Sequence, residues 1–133
     1  MRRDIKLYVN SCPNCDPFKK FTRPKSLLGH IPVSDRGDLV AIDVFGGKEA
    51  LVTTSAGNRY VFVMIDIFTK YCRATPTSNQ TAETLTDRFT HDWILLLGAP
   101  HRLLSAQGTA FESALFQNMC TLWRINKCRT LST

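Results

Sequence analysis

Residues Leu39–Gly46 read Leu-Val-Ala-Ile-Asp-Val-Phe-Gly, and this stretch decides the fold. It is short, rich in β-branched and aromatic residues, and apolar at both alternating sets of positions. That pattern predicts a fully buried strand of an α/β sheet. Its one carboxylate, Asp43, lies in the middle. An ionised aspartate is costly there unless a metal, a cation or several hydrogen bonds compensate it. Two readings of Asp43 stand on the residues alone: a cation ligand emerging at the strand's end, or a structurally satisfied side chain.

Downstream, Gly46-Gly47 and Ser55-Ala56-Gly57-Asn58 mark turns around a weak run at 50–54. Residues 59–68 (Arg-Tyr-Val-Phe-Val-Met-Ile-Asp-Ile-Phe) predict a strong second strand. Thr69-Lys70 turns it into a third strand over 71–76. Asp66, near that hairpin, can accept backbone N–H groups or the Thr69 hydroxyl and reads as structural. Residues 81–97 form the clearest helix, with Thr81 as N-cap, Glu83 and Asp87 toward its positive end, and Gly98-Ala99-Pro100 closing it. Its three- and four-residue spacing puts Ala82, Leu85, Phe89, Trp93 and Leu96 on the buried stripe and leaves His91 exposed. A short strand follows at 101–105. A second helix over 112–123 is expected to bury Leu115, Phe116, Met119, Leu122 and Trp123, and a last strand begins near Lys127. Three consecutive strands predict an antiparallel meander, and strands joined through helices predict parallel pairing. The layout is α/β, a mixed sheet flanked by helices, of the ribonuclease-H-like kind.

The N-terminal third has a different character. Residues 4–11 place Ile5, Tyr8 and Val9 on one helical face, with Asp4 in the first turn. Cys12-Pro13-Asn14-Cys15 lets two thiolates reach one tetrahedral zinc, which needs two more ligands. His30, His91 and His101 lie in other segments, so the zinc site is incomplete as read. A redox role would need a thioredoxin-like βαβ context, which is missing. Residues 16–37 interleave Lys19, Lys20, Arg23, Lys25 and Arg36 with Pro17, Pro24 and Pro32, the composition of an extended connector. Phe18 and Phe21 read as packing residues rather than base-stacking ones.

Composition bounds the rest. The 133 residues suit one domain with a sizeable core, and 44% hydrophobic with 21% charged residues is ordinary for a globular protein. No apolar run approaches the about 18 residues that a membrane span needs. The first residues, Met1-Arg2-Arg3-Asp4-Ile5-Lys6, lack the apolar stretch of a secretory signal, so an intracellular protein without a membrane partner is expected. Five cysteines, an odd number, are then expected free or metal-binding. Most of the net charge of +6 sits in residues 1–37, where eight Lys and Arg face three Asp. A basic leading segment fits a phosphate-rich partner, and equally a solvated tail.

Four pieces, in order, carry a resemblance: Cys12-Pro13-Asn14-Cys15; Leu39–Gly46 with Asp43; the strand and hairpin through Asp66-Ile67-Phe68-Thr69-Lys70; and Gly98-Ala99-Pro100 leading to Leu104-Ser105-Ala106-Gln107-Gly108-Thr109-Ala110-Phe111. The sequence resembles a retroviral-type integrase, nearest to those of gypsy-like LTR retrotransposons. The resemblance implies an Asp on the first core strand, an Asp after the fourth and a Glu on a later helix, together holding two Mg²⁺ (or Mn²⁺) for phosphodiester strand transfer. Asp43 matches the first position. Where the pattern Ser-Asp-x-Gly-x-x-Phe has its Asp, this chain has Ala106, and a methyl group ligates nothing. The Glu would fall beyond Thr133, Glu112 does not match its position, and the two zinc-binding histidines would precede Met1. The expectation is therefore a truncated, degenerate integrase-like piece of a Pol polyprotein. Residues 1–25 would be half of the zinc-binding region plus basic linker, and 26–133 the N-terminal part of the catalytic core, its C-terminal part missing. It would contact DNA through Lys19, Lys20, Arg23 and Lys25, act in the nucleus if functional, and be catalytically silent. Mg²⁺ would bind weakly or not at all, and Zn²⁺ would find only two of its four ligands, Cys12 and Cys15. The resemblance also allows a homo-oligomer. The alternative is a non-catalytic DNA-binding or protein-interaction module on the same scaffold.

Overall fold

The structure, a computed structural model, describes residues 2–14, 31–47 and 50–130. The chain divides into two compact units, Met1–Ile31 and Pro32–Thr133. In the first, helix α1 spans Arg2–Asn10 with Asp4 in its first turn. Its end is closed by the Ser11 N–H, which donates to the Leu7 carbonyl at 3.0 Å, and by the Ser11 hydroxyl, which donates to the Tyr8 carbonyl at 3.1 Å. None of its residues is buried, and Tyr8 is 80% exposed.

The second unit is a five-stranded sheet with strand order β3-β2-β1-β4-β5, formed by β1 (Leu39–Gly46), β2 (Tyr60–Asp66), β3 (Cys72–Thr77), β4 (Arg102–Ser105) and β5 (Asn126–Arg129). As the sequence predicts, β1, β2 and β3 form an antiparallel meander, while β4 joins β1, and β5 joins β4, in parallel. No strand forms in the described part of the weak run near residue 50, where Gly57 and Asn58 turn the chain back onto Thr54.

Between β3 and β4 runs one long helical element: α2 (Ala82–Phe89), a π-helical segment (Thr90–Ile94) and a short α3 (Leu95–Leu97). Thr81 is its N-cap, its hydroxyl oxygen accepting from the Thr84 N–H at 3.4 Å. Leu85, Phe89 and Trp93 are buried as expected, but Leu96 is not: Ile94 is buried in its place, and Leu95, Leu96 and Leu97 are exposed. The wide turn is the cause. A π segment spends an extra residue per turn and shifts the phase of the apolar stripe. The Thr90 hydroxyl donates to the Thr86 carbonyl at 2.8 Å inside the element, a bond that loosens the regular ladder. Asp92, within the π segment, accepts from the Thr75 hydroxyl at 3.0 Å and lies 3.7 Å from the Arg73 guanidinium, so β3 anchors it.

Helix α4 (Ala114–Leu122) starts at Ser113, whose hydroxyl oxygen accepts from the Phe116 N–H at 3.2 Å. It buries Phe116, Met119 and Cys120. Leu115, Leu122 and Trp123, expected in the core, are exposed. The helix packs along a narrower stripe than its apolar content allows.

The core lies on one face of the sheet. Val40, Ile42, Phe62, Met64 and Leu103 alternate onto that face and pack with Leu85, Phe89, Trp93, Phe116 and Met119. Apart from Leu39, the residues between them turn to the other face. There Ala41, Val61, Val63, Ile65 and Leu104 are half-buried, and Phe45 is 59% exposed. This corrects the expectation that β1 is covered on both sides: among the described residues, helices cover one face.

At the end of β1, Gly46 has φ of +136°, and a Cβ added there would come within 2.8 Å of the Tyr60 Cα and collide with the Arg59 carbonyl oxygen. Glycine is required by both conformation and space.

Candidate functional site

Asp43 sits in β1 on the less covered face, and its side chain is exposed. One carboxylate oxygen accepts from the Val44 N–H at 2.8 Å. The desolvation that would have demanded a compensating cation is therefore absent. The register of β1 and β4 pairs Leu39 with Arg102 and runs stepwise to Ile42 with Ser105. The ladder ends there, and Ala106 is the residue that directly follows β4. Ala106 is exposed too.

Glu112, just before α4, is engaged elsewhere. Its carboxylate receives the Lys127 ammonium at 2.6 Å and the Arg129 guanidinium at 2.5 Å. The hydrogen bond from Lys127, with help from the nearby Arg129 charge, holds its carboxyl below the usual range. In register, Lys127 and Arg129 lie beside Leu103 and Ser105, on the face opposite Asp43. Gln107, next to Ala106, donates to the Thr130 carbonyl at 3.1 Å.

Asp66 is structural as the sequence implies. It is 2% exposed and accepts from the Thr69 hydroxyl at 2.6 Å, the Thr69 N–H at 3.3 Å and the Gly37 N–H at 3.4 Å. Cys12 is half-buried. Cys15 and the basic residues Lys19, Lys20, Arg23 and Lys25 lie outside the described residues. Among the described residues, no three His, Cys, Asp or Glu side chains gather closely enough to hold a metal ion. No helix among them is long and apolar enough to cross a membrane.

Sequence reasoning missed two ion pairs that shape this region, Glu112 with β5 and Asp38 with Arg102. Both join residues far apart in the chain, so no local spacing announces them. The alternation of β5 offers one signal in retrospect: Lys127 and Arg129 share a face, which an acid must neutralise if it is to be half-buried.

The mixed five-stranded sheet with helices packed on it has the layout of a ribonuclease-H-like fold. The comparisons agree. The fold aligns with the integrase catalytic core domain of HTLV-2 solved with magnesium (TM-score 0.60, 22% identity, 71% of this chain and 60% of that one). It also aligns with a simian T-cell lymphotropic virus intasome (TM-score 0.68, 20% identity, 98% of this chain and 45% of that one). In sequence, the chain is 28% identical over 126 residues to the retrovirus-related Pol polyprotein from transposon 412 of Drosophila melanogaster, covering 94% of this chain and 10% of that polyprotein. Over 70 residues it is 36% identical to the Gag-Pol polyprotein of woolly monkey sarcoma virus, covering 53% of this chain and 4% of that polyprotein. The chain thus spans a tenth or less of these polyproteins. No family model matches it. In sequence the chain is thus similar to retroelement Pol polyproteins, and in fold to retroviral integrase catalytic cores.

Proposed function

We propose that this domain is a catalytically silent integrase core that binds DNA without transferring strands. The observation carrying this reading is that Ala106, which follows β4 where the ladder with β1 ends one position short of Asp43, brings no carboxylate. Two-metal phosphodiester chemistry needs carboxylates converging on a pair of divalent ions, and Mg²⁺ favours six oxygen ligands while giving up its waters reluctantly. Asp43 supplies at most two oxygens, Ala106 supplies none, and Glu112 is bound to Lys127 and Arg129 on the other face. The residues present do not fit an Mg²⁺ pair. For zinc, Cys12 and Cys15 offer two thiolates of the four ligands required.

The DNA reading rests on charge. The excess of Lys and Arg in residues 1–37 would neutralise phosphates in a sequence-independent way, and such a partner would place the protein in the nucleus. A salt titration of duplex binding tests it. Changing Lys19, Lys20, Arg23 and Lys25 to Ala should flatten the log K against log salt slope by about three to four. An unchanged slope and affinity in the quadruple variant would defeat the DNA assignment. An oligonucleotide strand-transfer gel tests silence: product made by the unmodified chain and lost in Asp43→Asn would defeat it.

One observation favours a protein-interaction role on the same scaffold. Leu95, Leu96, Leu97, Leu115, Leu122 and Trp123 are exposed apolar side chains on the helices. Large exposed apolar surface marks association sites, and the HTLV-2 core has been solved in dimeric and trimeric forms. Sedimentation should then show a self-associating chain, weakened by Leu96→Glu.

A further inference from the structure

A cavity of about 310 Å³ lies beside the start of β1 and the end of β2. Asp66, which lines it, pairs in register with Val40, three residues before Asp43, or about 10 Å along the strand. Tyr71 and Trp93 form one wall, their ring centroids 5.9 Å apart and tilted by 54°. Leu97, Gly98 and Ala99 form another, and Arg36 and His101 also line the cavity. The frame is stitched together: the His101 N–H donates to the Gly37 carbonyl at 2.9 Å, and the Gly37 N–H donates to Asp66. The lining is therefore pre-positioned by strand ends rather than by a free loop.

The Asp66 carboxylate is the unusual part. A carboxylate has about four acceptor positions. Thr69 uses two on one oxygen, while the other oxygen has a single long bond from the Gly37 N–H at 3.4 Å. Among the described residues no Lys or Arg forms an ion pair with it, although Arg36 lines the same cavity. A nearly buried carboxylate with acceptor capacity left, beside two aromatic rings, matches a cation on an apolar stem: the acid takes the charge, and the rings take the stem and the cation's field. Arg36 adds selectivity. Its charge disfavours a ligand carrying several positive charges and tolerates one carrying a single charge on a neutral or acidic backbone.

We propose that this cavity receives the side chain of a single lysine or arginine presented by a partner polypeptide. Asp66 accepts its ammonium or guanidinium, and Tyr71 and Trp93 flank its stem. The site is independent of the Asp43 region and of DNA binding, so neither reading stands or falls with the other.

The test is titration of the whole chain followed by NMR of the Trp93 indole N–H and the Gly37 and Thr69 amides. The probes are Nα-acetyl-lysine methylamide, its norleucine isostere and spermidine. The lysine probe should give saturable shifts at all three reporters, with the norleucine isostere and spermidine each about tenfold weaker or worse. Asp66→Asn should weaken the lysine probe about tenfold. Because that change also touches the Thr69 turn, Ala99→Phe provides a second variant at an exposed position: it should block the cavity and abolish the shifts while leaving the fold intact. Equal binding of the norleucine probe would reduce the cavity to an apolar hollow. Tighter binding of spermidine would make it a polyamine site, and absence of saturable shifts would remove the site. Each of these outcomes overturns the proposal.

Discussion

Arg102, the first residue of β4, is held by Asp38, the residue before β1, through two hydrogen bonds: its Nε donates at 3.3 Å and its terminal nitrogen at 3.1 Å. The same guanidinium donates to the Pro32 carbonyl at 2.7 Å, and Asp38 also receives the Ser34 N–H and hydroxyl. This cluster pins the starting ends of two parallel strands. A one-residue slip would turn every side chain of β4 to the other face, so the clamp helps to fix the register of β4 on β1.

The clamp predicts acid sensitivity. The Ser34 N–H, followed by the Arg102 hydrogen bond, lowers the Asp38 carboxyl from its usual range. Lys127, then Arg129, does the same for Glu112. A depressed carboxyl contributes stability that is fully present above its unfolded value, near 4, and is lost as pH falls through the lower folded value. Thermal unfolding from pH 7 to pH 2 should show a melting temperature steady down to about pH 5 and falling below about pH 4. Asp38→Asn should lower the plateau and make the fall shallower. A melting temperature that rises on acidification would contradict both pairs.

Restoring the second carboxylate should create a cation site. In Ala106→Asp, two carboxylates would stand on adjacent strands of one face, close enough to share a divalent ion. Mn²⁺ binding, read by paramagnetic broadening near Asp43, should tighten by about tenfold or more and vanish again in the double variant with Asp43→Asn. Unchanged broadening in Ala106→Asp would show that the two side chains do not converge.

Gly46 carries a backbone conformation that other residues resist. Gly46→Ala should destabilise the domain by about 1–3 kcal/mol, through positive φ and the collision with Arg59. Urea unfolding measures this directly. A neutral result would place the end of β1 in a different conformation from the one described.

Phe116 and Leu122 lie on one helix with opposite fates. Phe116 is fully buried between Phe111 and Phe89, its ring centroid 5.4 Å and 6.4 Å from theirs, whereas Leu122 is 78% exposed. Phe116→Ala should cost about 3–5 kcal/mol, and Leu122→Ala should stay within about 0.5 kcal/mol in the monomer. Equal losses in a concentration-independent melt would mean that the outer face of α4 is part of the core.

That contrast marks where the sequence is legible. β1 through β3 can be read because β-branched and aromatic runs are bounded by Gly, Asn and the Asp66–Thr69 turn. Thr81 and the Gly98-Ala99-Pro100 stop can be read from end chemistry. The buried stripe fails after Trp93 because a regular 3.6-residue period cannot foresee a π turn, the segment in which Asp92 meets Thr75 and Arg73 across the fold. Leu115, Leu122 and Trp123 fail for another reason: apolar residues that complete a helical stripe look alike whether or not another element covers them. The exposure of Asp43 is not legible, because alternation does not say how many faces of a sheet are covered.

The position of β1 has a kinetic consequence. Its pairing with β2 closes within a short stretch of chain, while its pairing with β4 waits for β2, β3 and the long helical element to be laid down. Contacts of high sequence separation pay the larger loop-closure entropy, so the parallel half forms later than the meander. The parallel pairing that ends at Ile42 and Ser105 is then completed after the meander, which must hold a half-exposed apolar face in water until it is.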